Sequence, residues 1–323
     1  MSVFTHVEFS ELNLWLQHND FTDSIGDLIE LKGIAAGITN TNYFVTTQRH
    51  NQIASGQKNR YVLTIFEKSA FDELPYFVDL MAHLAAHSVL CPTPVVNKNG
   101  QALAELQAKP ALLVSCLKGS DIEQPTAAQC GQVGHVLAEM HLAGQSFTTI
   151  SKNQRDADWR IATSKKVMDK LSVEDQKLLT QELAFQARLD LTDLPRGVIH
   201  GDLFRDNVLF EGNQIGGFID FYYACNDILA YDVAIAVNDW CMLETGKFDE
   251  PRLNSFMIAY TALRPFNEIE QQAWRGLLRI AALRFWLSRL FDWYYPQAGE
   301  LTHAKDPTHF KNILTTYINA HQN

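Results

Sequence analysis

Apolar residues recur at every second position in the first third of the chain and at helical intervals further on, and this change of rhythm predicts the layout. Residues 28–32, 42–47 and 61–66 read as short strands, the last two joined by a polar link, so a small antiparallel sheet is expected. Residues 71–87 set Phe77, Leu80, Met81 and Leu84 at helical spacing, which predicts a helix packed on that sheet. After Cys91-Pro92-Thr93-Pro94, two further strands are expected to flank the turn formers Asn97-Lys98-Asn99-Gly100, and residues 111–115 read as a last strand. Residues 116–120 look like a connector, and from about Thr126 the pattern is mainly helical. No internal repeat, low-complexity segment or long Pro/Gly/Ser linker interrupts it. The expectation is an α+β chain of two lobes. Residues 1–117 form a small N-terminal lobe with antiparallel sheet and helix, and residues 118–323 a larger, mainly helical one.

One stretch stands out from this patterning. His200-Gly201-Asp202-Leu203-Phe204-Arg205-Asp206-Asn207 is followed by Ile219-Asp220-Phe221. Between them, residues 208–210 and 215–219 are apolar strand candidates separated by the turn-forming run Glu211-Gly212-Asn213-Gln214. A hairpin closing there brings its open ends together, and with them Asn207 and Asp220. An amide oxygen and a carboxylate so placed can share one magnesium ion, while a carboxylate at Asp202 can accept or orient the proton of an attacking hydroxyl. Phosphoryl transfer to a hydroxyl needs this set. A lone His-Gly-Asp is equally an ordinary loop beside a buried hairpin, but Asn at the fifth position after the Asp, the strand–turn–strand insert and the second Asp together match the kinase catalytic loop and its metal Asp. His200 is expected to brace the loop through backbone hydrogen bonds, and Arg205 and Asp206 to be solvated or paired locally.

Composition narrows the partners. The 323 residues are 46% hydrophobic, which allows one large or two modest domains with real cores. Lys plus Arg number 27 against 37 for Asp plus Glu, a net charge of −10 that disfavours nucleic acid or an anionic membrane and favours a small substrate. Cys91, Cys116, Cys130, Cys225 and Cys241 show no CxxC spacing, so neither a zinc site nor a disulfide framework is expected. The first residues lack the basic flank and apolar run of a signal peptide, and charges interrupt each later apolar stretch before membrane-spanning length. The cytoplasm is the expected compartment.

Gly33-Ile34-Ala35-Ala36-Gly37-Ile38-Thr39-Asn40-Thr41-Asn42 lies where the first two strands meet. Two glycines alone often mean a hairpin turn, but ahead of a strand in a kinase-like order they allow backbone N–H groups to cover phosphates. The chain resembles the bacterial homoserine kinases, which share the fold of aminoglycoside phosphotransferases and choline kinases, a relative of the protein kinase fold. The resemblance runs nearly end to end. It rests on the string from Gly37 to Val45, Tyr61-Val62-Leu63-Thr64-Ile65-Phe66-Glu67, His200 through Phe210, Asp220 through Asp227, Tyr231-Asp232-Val233-Ala234, and Leu283 through Leu290. It implies a two-lobed, protein-kinase-like fold with nucleotide held between the lobes, and ATP- and Mg2+-dependent phosphorylation of the L-homoserine hydroxyl, a step of threonine biosynthesis. Asp202 is then the base, Asn207 and Asp220 the metal ligands, and Gly33, Gly37, Thr39 and Asn40 the phosphate-covering residues.

One departure from the kinase pattern matters. The third-strand lysine that contacts the α- and β-phosphates is replaced by Thr64. Lys32, on the strand before the glycine loop, is the candidate substitute, with Lys68 a poorer one. Glu73 is either the leftover helix carboxylate or capping support for its own helix. A homoserine pocket needs a cation for the carboxylate and a carboxylate for the ammonium. Asp239 and Arg284 are the candidates, while Asp232 is expected to brace the catalytic loop. Two competing readings stay open: a kinase for choline, an aminoglycoside or a sugar, and a nucleotide-binding pseudokinase acting as an interaction module.

Overall fold

A computed structural model describes residues 5–34, 40–296 and 305–320. The chain divides into two compact units, Met1–Lys118 and Gly119–Asn323.

The first unit begins with α1 (Phe9–His18) and the short α2 (Thr22–Ile25), followed by β1 (Asp27–Ile34), β2 (Thr41–Gln48) and β3 (Asn59–Ile65). Then come α3 (Pro75–Ala86), β4 (Leu103–Leu106) and β5 (Lys109–Ser115). The strands form an antiparallel sheet in the order β1-β2-β3-β5-β4. β2 shows why the period-two reading works: Thr41, Tyr43, Val45 and Thr47 are buried and the residues between them are not. Tyr43 and Val45 pack with Leu63, Ile65, Ala111 and Leu113 against Leu12, Trp15 and Leu16 of α1. The sequence reading passed over α1, although Leu12, Trp15 and Leu16 stand at helical spacing. Its Trp15 indole donates to the Glu105 carbonyl at 2.7 Å and stacks on Phe21. The strand expected before Asn97 reduces to an isolated bridge between Pro94 and Val114, because Pro92 and Pro94 have no N–H to give a ladder. Glu73 closes the 3-10 turn Phe71–Glu73 ahead of α3, accepting from the Ala70 N–H at 3.1 Å.

The second unit comprises α4 (Ala127–Ala143), α5 (Ala157–Val167), α6 (Val173–Gln186), β6 (Arg196–Ile199), β7 (Val208–Glu211), β8 (Gln214–Phe218), β9 (Cys225–Ile228), α7 (Leu229–Trp240), α8 (Glu250–Leu263), α9 (Glu268–Tyr294) and α10 (Thr308–Asn319). Thr126 caps α4 and Asn267 caps α9, each in a capping box with a residue three positions on. α4 lies close against α8: a Cβ on Gly134 would overlap the Phe256 carbonyl, so glycine sets how near the two helices come. Every residue of α7 is buried, and α7, α5 and α10 all pack on α9. β7 and β8 form the expected hairpin, and β6 pairs with β9. Among the described residues no helix is long and apolar enough to cross a membrane.

Candidate active site

The site grows from the loop after β6. Gly201 has φ +75°, and a Cβ there would stand 2.8 Å from the Tyr223 carbonyl oxygen, so the turn that delivers Asp202 requires glycine. Asp232, fully buried on α7, holds this turn as expected. Its Oδ2 accepts from the His200 N–H at 2.7 Å and its Oδ1 from the Gly201 N–H at 2.8 Å. Oδ2 also accepts from His141 Nε2 at 3.1 Å, and His141 Nδ1 meets the Tyr260 hydroxyl at 2.8 Å. Burial alone would raise the Asp232 carboxyl, but the His141 hydrogen bond, the two histidines and the Gly201 N–H hold it below the usual range. Burial lowers both His141 and His200, so both rings are neutral near pH 7.

His200 braces rather than reacts. Its Nε2 donates to the Ile219 carbonyl at 3.0 Å, tying the loop to the end of β8, and its ring packs between Phe218 and Phe221. The hairpin then brings Asn207 and Asp220 together: the Ile219 N–H donates to the Asn207 carbonyl at 2.9 Å. Asn207 Nδ2 donates to the Asp202 carbonyl at 2.8 Å and to Asp202 Oδ2 at 3.2 Å, which fixes the amide with Oδ1 outside these bonds. Asp220 occupies the left-handed region at φ 64°, ψ 58°, which an Asp tolerates better than most side chains.

Asp202, Asp206 and Asp220 feel one another's charge here. Burial raises the Asp202 carboxyl and the Arg284 charge opposes the shift; Arg284 Nη1 donates to Asp202 Oδ1 at 3.3 Å. Desolvation, then the like charges of Asp202 and Asp206, raises Asp220 to about 7. Asp220 is nonetheless exposed, so water offsets part of the desolvation and the repulsion is the durable contribution. A bound dication relieves that repulsion, and an amide oxygen beside a short carboxylate is a hard-oxygen donor set. Among the described residues no three His, Cys, Asp or Glu side chains cluster as a metal site.

Asp239, expected beside the acceptor, is engaged otherwise. Its Oδ2 accepts from the Arg205 backbone N–H at 2.8 Å and from Nε at 3.1 Å, and its Oδ1 accepts from Nη2 at 3.3 Å. Arg205 and Asp239 therefore clamp the catalytic loop to α7, a pairing that no local pattern signals. Neither did any signal point to His141. Asp206 pairs with Lys305.

In the first unit, Thr64 Oγ1 donates to Asn42 Oδ1 at 2.8 Å. Lys32 opposes Phe44, which opposes Val62, while Ile34 opposes Asn42, which opposes Thr64. Directly paired residues share a sheet face, so Lys32 and Thr64 lie on one face, and Lys32 is exposed there. Gly33 is in β1, and Asn40 Oδ1 accepts from the Glu67 N–H at 3.4 Å. Gly37 and Thr39 lie outside the described residues.

Residues 30–266 match the phosphotransferase enzyme family. The chain is 52% identical to a homoserine kinase of Methylobacillus flagellatus, covering 100% of this chain and 97% of that one. A homoserine kinase of Methylobacillus glycogenes is 51% identical with the same coverage. The chain belongs to the homoserine kinase branch of the phosphotransferase family. Among solved structures, a microcompartment-associated aminopropanol kinase superposes with a TM-score of 0.70 at 17% identity, covering 98% of both chains. At that identity the likeness speaks for the fold, the α+β architecture of the phosphotransferases. Phosphotransferases of this family are ATP-dependent kinases, and the Asp202–Asn207–Asp220 cluster lies within the matched residues.

Proposed function

We propose that this chain transfers the γ-phosphoryl group of ATP to the side-chain hydroxyl of L-homoserine, giving O-phospho-L-homoserine for threonine biosynthesis. The full-length similarity to homoserine kinases carries the acceptor. The reaction type is carried by the convergence of Asp202, Asn207 and Asp220 at the open end of one hairpin.

In this reading Asp202 accepts or orients the proton of the attacking hydroxyl, and transfer is direct, in line, without a phosphoenzyme. The Arg284 contact opposes the rise that burial imposes on the Asp202 carboxyl. Asn207 Oδ1 and Asp220 would hold Mg2+, which when bound neutralises charge on the ATP phosphates. Asp232, His200 and the Arg205–Asp239 clamp set the loop so that Asp202 faces the acceptor. Gly33, Gly37, Thr39 and Asn40 are assigned to the phosphates through backbone N–H groups, with Lys32 supplying the charge that Thr64 cannot. Free thiols and the need for ATP suit a cytoplasmic enzyme.

An acceptor screen that follows ADP release tests this. L-Homoserine should be turned over well ahead of choline, L-serine and an aminoglycoside; turnover of choline alone would overturn the acceptor assignment.

A further inference from the structure

The second unit holds a cationic cluster beside the catalytic loop, of which only Arg284 is bonded to that loop. Arg160 on α5 is 8% exposed, and among the described residues its guanidinium has no hydrogen bond or ion pair. Tyr231, on the first turn of α7, is 4% exposed, and its hydroxyl is buried without a partner. Arg284 on α9 is 3% exposed and spends one of its five N–H donors on Asp202.

These groups are neighbours by construction of the fold. Ser151 exchanges hydrogen bonds with Asn226 at 2.9 Å in both directions, and Asn153 Nδ2 donates to Asp227 Oδ2 at 2.7 Å. That ties the approach to α5 onto β9, which runs straight into α7, while α5 and α7 both pack on α9. Tyr223 marks the open side: its ring centroid is 5.5 Å from the Arg284 guanidinium and 5.7 Å from that of Arg155. Burial pushes the Tyr231 phenol up to about 12, and the charges of Arg284 and Arg160 act against that rise, so both cations bear on one hydroxyl.

A buried hydroxyl left unpaired is costly, and the Arg160 guanidinium beside it has no acceptor among the described residues to hold it. A guanidinium only donates and the hydroxyl can donate, so the fitting partner is an acceptor, and a carboxylate matches an arginine fork in both geometry and charge. We propose that Arg160, Tyr231 and Arg284 form the pocket for the acceptor's α-carboxylate, which makes Arg160 and Tyr231 the residues that distinguish an amino acid from an amino alcohol. The proposal rests on the homoserine kinase reading, and it extends it to residues outside the catalytic loop. Arg284 links the two ends, touching the base with one nitrogen and leaving the rest of its fork for the carboxylate.

The test compares L-homoserine with 3-aminopropan-1-ol, the same molecule without its carboxylate, in the parent, Arg160→Met, Arg160→Lys and Tyr231→Phe. Methionine preserves the apolar stem, and replacement of a buried charge by an apolar residue of similar volume is often tolerated; melting curves check folding. Arg160→Met should lower kcat/KM for L-homoserine by roughly 10- to 100-fold, mainly through KM, as expected for loss of a charge-assisted contact. Turnover of 3-aminopropan-1-ol and the KM for ATP should not move. Tyr231→Phe should lose about tenfold with the same selectivity, and Arg160→Lys should recover part of the loss. An equal loss on both acceptors, or no loss on either, overturns the pocket. If the parent fails to release ADP with L-homoserine, the functional reading fails instead. The pocket is then judged by calorimetry of L-homoserine against 3-aminopropan-1-ol in parent and Arg160→Met: selective weakening of the amino acid supports it, and unchanged or absent binding overturns it.

Discussion

Asp232→Asn isolates what holds the catalytic loop. The carboxylate takes three donors, the N–H groups of His200 and Gly201 and Nε2 of His141. An amide oxygen placed at the Oδ2 position keeps two of them, and the new NH2 then faces the Gly201 N–H, donor against donor. One charge-assisted bond worth about 1.5–3 kcal/mol is lost, a buried N–H is left unsatisfied, and the remaining two bonds weaken with the charge. A loss of about 3 kcal/mol follows, or roughly 6–12 °C in Tm for a unit of this size. Gly201 moves to relieve the clash, and it carries Asp202 with it. Displacement of a reacting group by about 1 Å costs on the order of 100-fold in kcat, whereas the phosphate contacts proposed for the first unit do not involve this turn. Thermal denaturation and steady-state ADP release measure both. A variant that melts with the parent and keeps kcat within about twofold would refute the idea that this one carboxylate positions the base. The pH dependence gives a second check. Asp232 has a folded pKa below its unfolded value of about 3.9, so its contribution is complete above that value and disappears as pH falls through the folded one. The stability gap between parent and variant should therefore narrow toward strongly acid pH.

Asp202→Asn should cut kcat by about 10²–10⁴ without unfolding the protein, and near-parental turnover would remove Asp202 as base. Asp220→Asn should raise the Mg2+ concentration for half activity by roughly tenfold or more while leaving the KM for homoserine in place. Because Asp220 is raised to about 7, above an unfolded value near 4, its ionisation destabilises the metal-free protein as pH rises across that interval. The metal-free Asn variant should then melt above the parent at pH 8 and with it near pH 4. Lys32→Ala should raise the KM for ATP by about 10- to 100-fold; unchanged ATP kinetics would end its candidacy. His141 and His200 are both lowered by burial, so the unfolded chain takes up protons first, and parental stability should fall as pH drops below about 6.5. A flat melting profile from pH 7.5 to 5.5 would contradict neutral buried rings.

Where period alone decides, the chain is legible. The alternation in β2, the face of α3 and the β7–β8 hairpin follow from local pattern, and the hairpin's open end predicted the meeting of Asn207 and Asp220. The misses have physical causes. β6 and β9 are four residues each, too short to show a period, and exist because they pair with one another. The Arg205–Asp239 clamp spans 34 positions and the His141–Asp232 bond 91, and such pairings are set by helix packing rather than by neighbours. Asp239 drew attention as a carboxylate for an ammonium, but both its oxygens accept from Arg205. Arg160 gave no signal because a buried arginine in a short helix reads like any solvated one until its surroundings are known, and Tyr231 stood out only within the string it shares with Asp232.

The left-handed backbone at Asp220 imposes a filter that charge alone would not. Asparagine fits the conformation but carries no charge. Glutamate keeps the charge, yet it belongs to the residues for which this region costs roughly 1–2 kcal/mol, and its extra methylene would push the carboxylate away from Asn207. The fold thus admits a short acid and resists a long one before any ion is present. Substituting Asp by Glu at this position is, for this protein, a change of geometry rather than a conservative exchange.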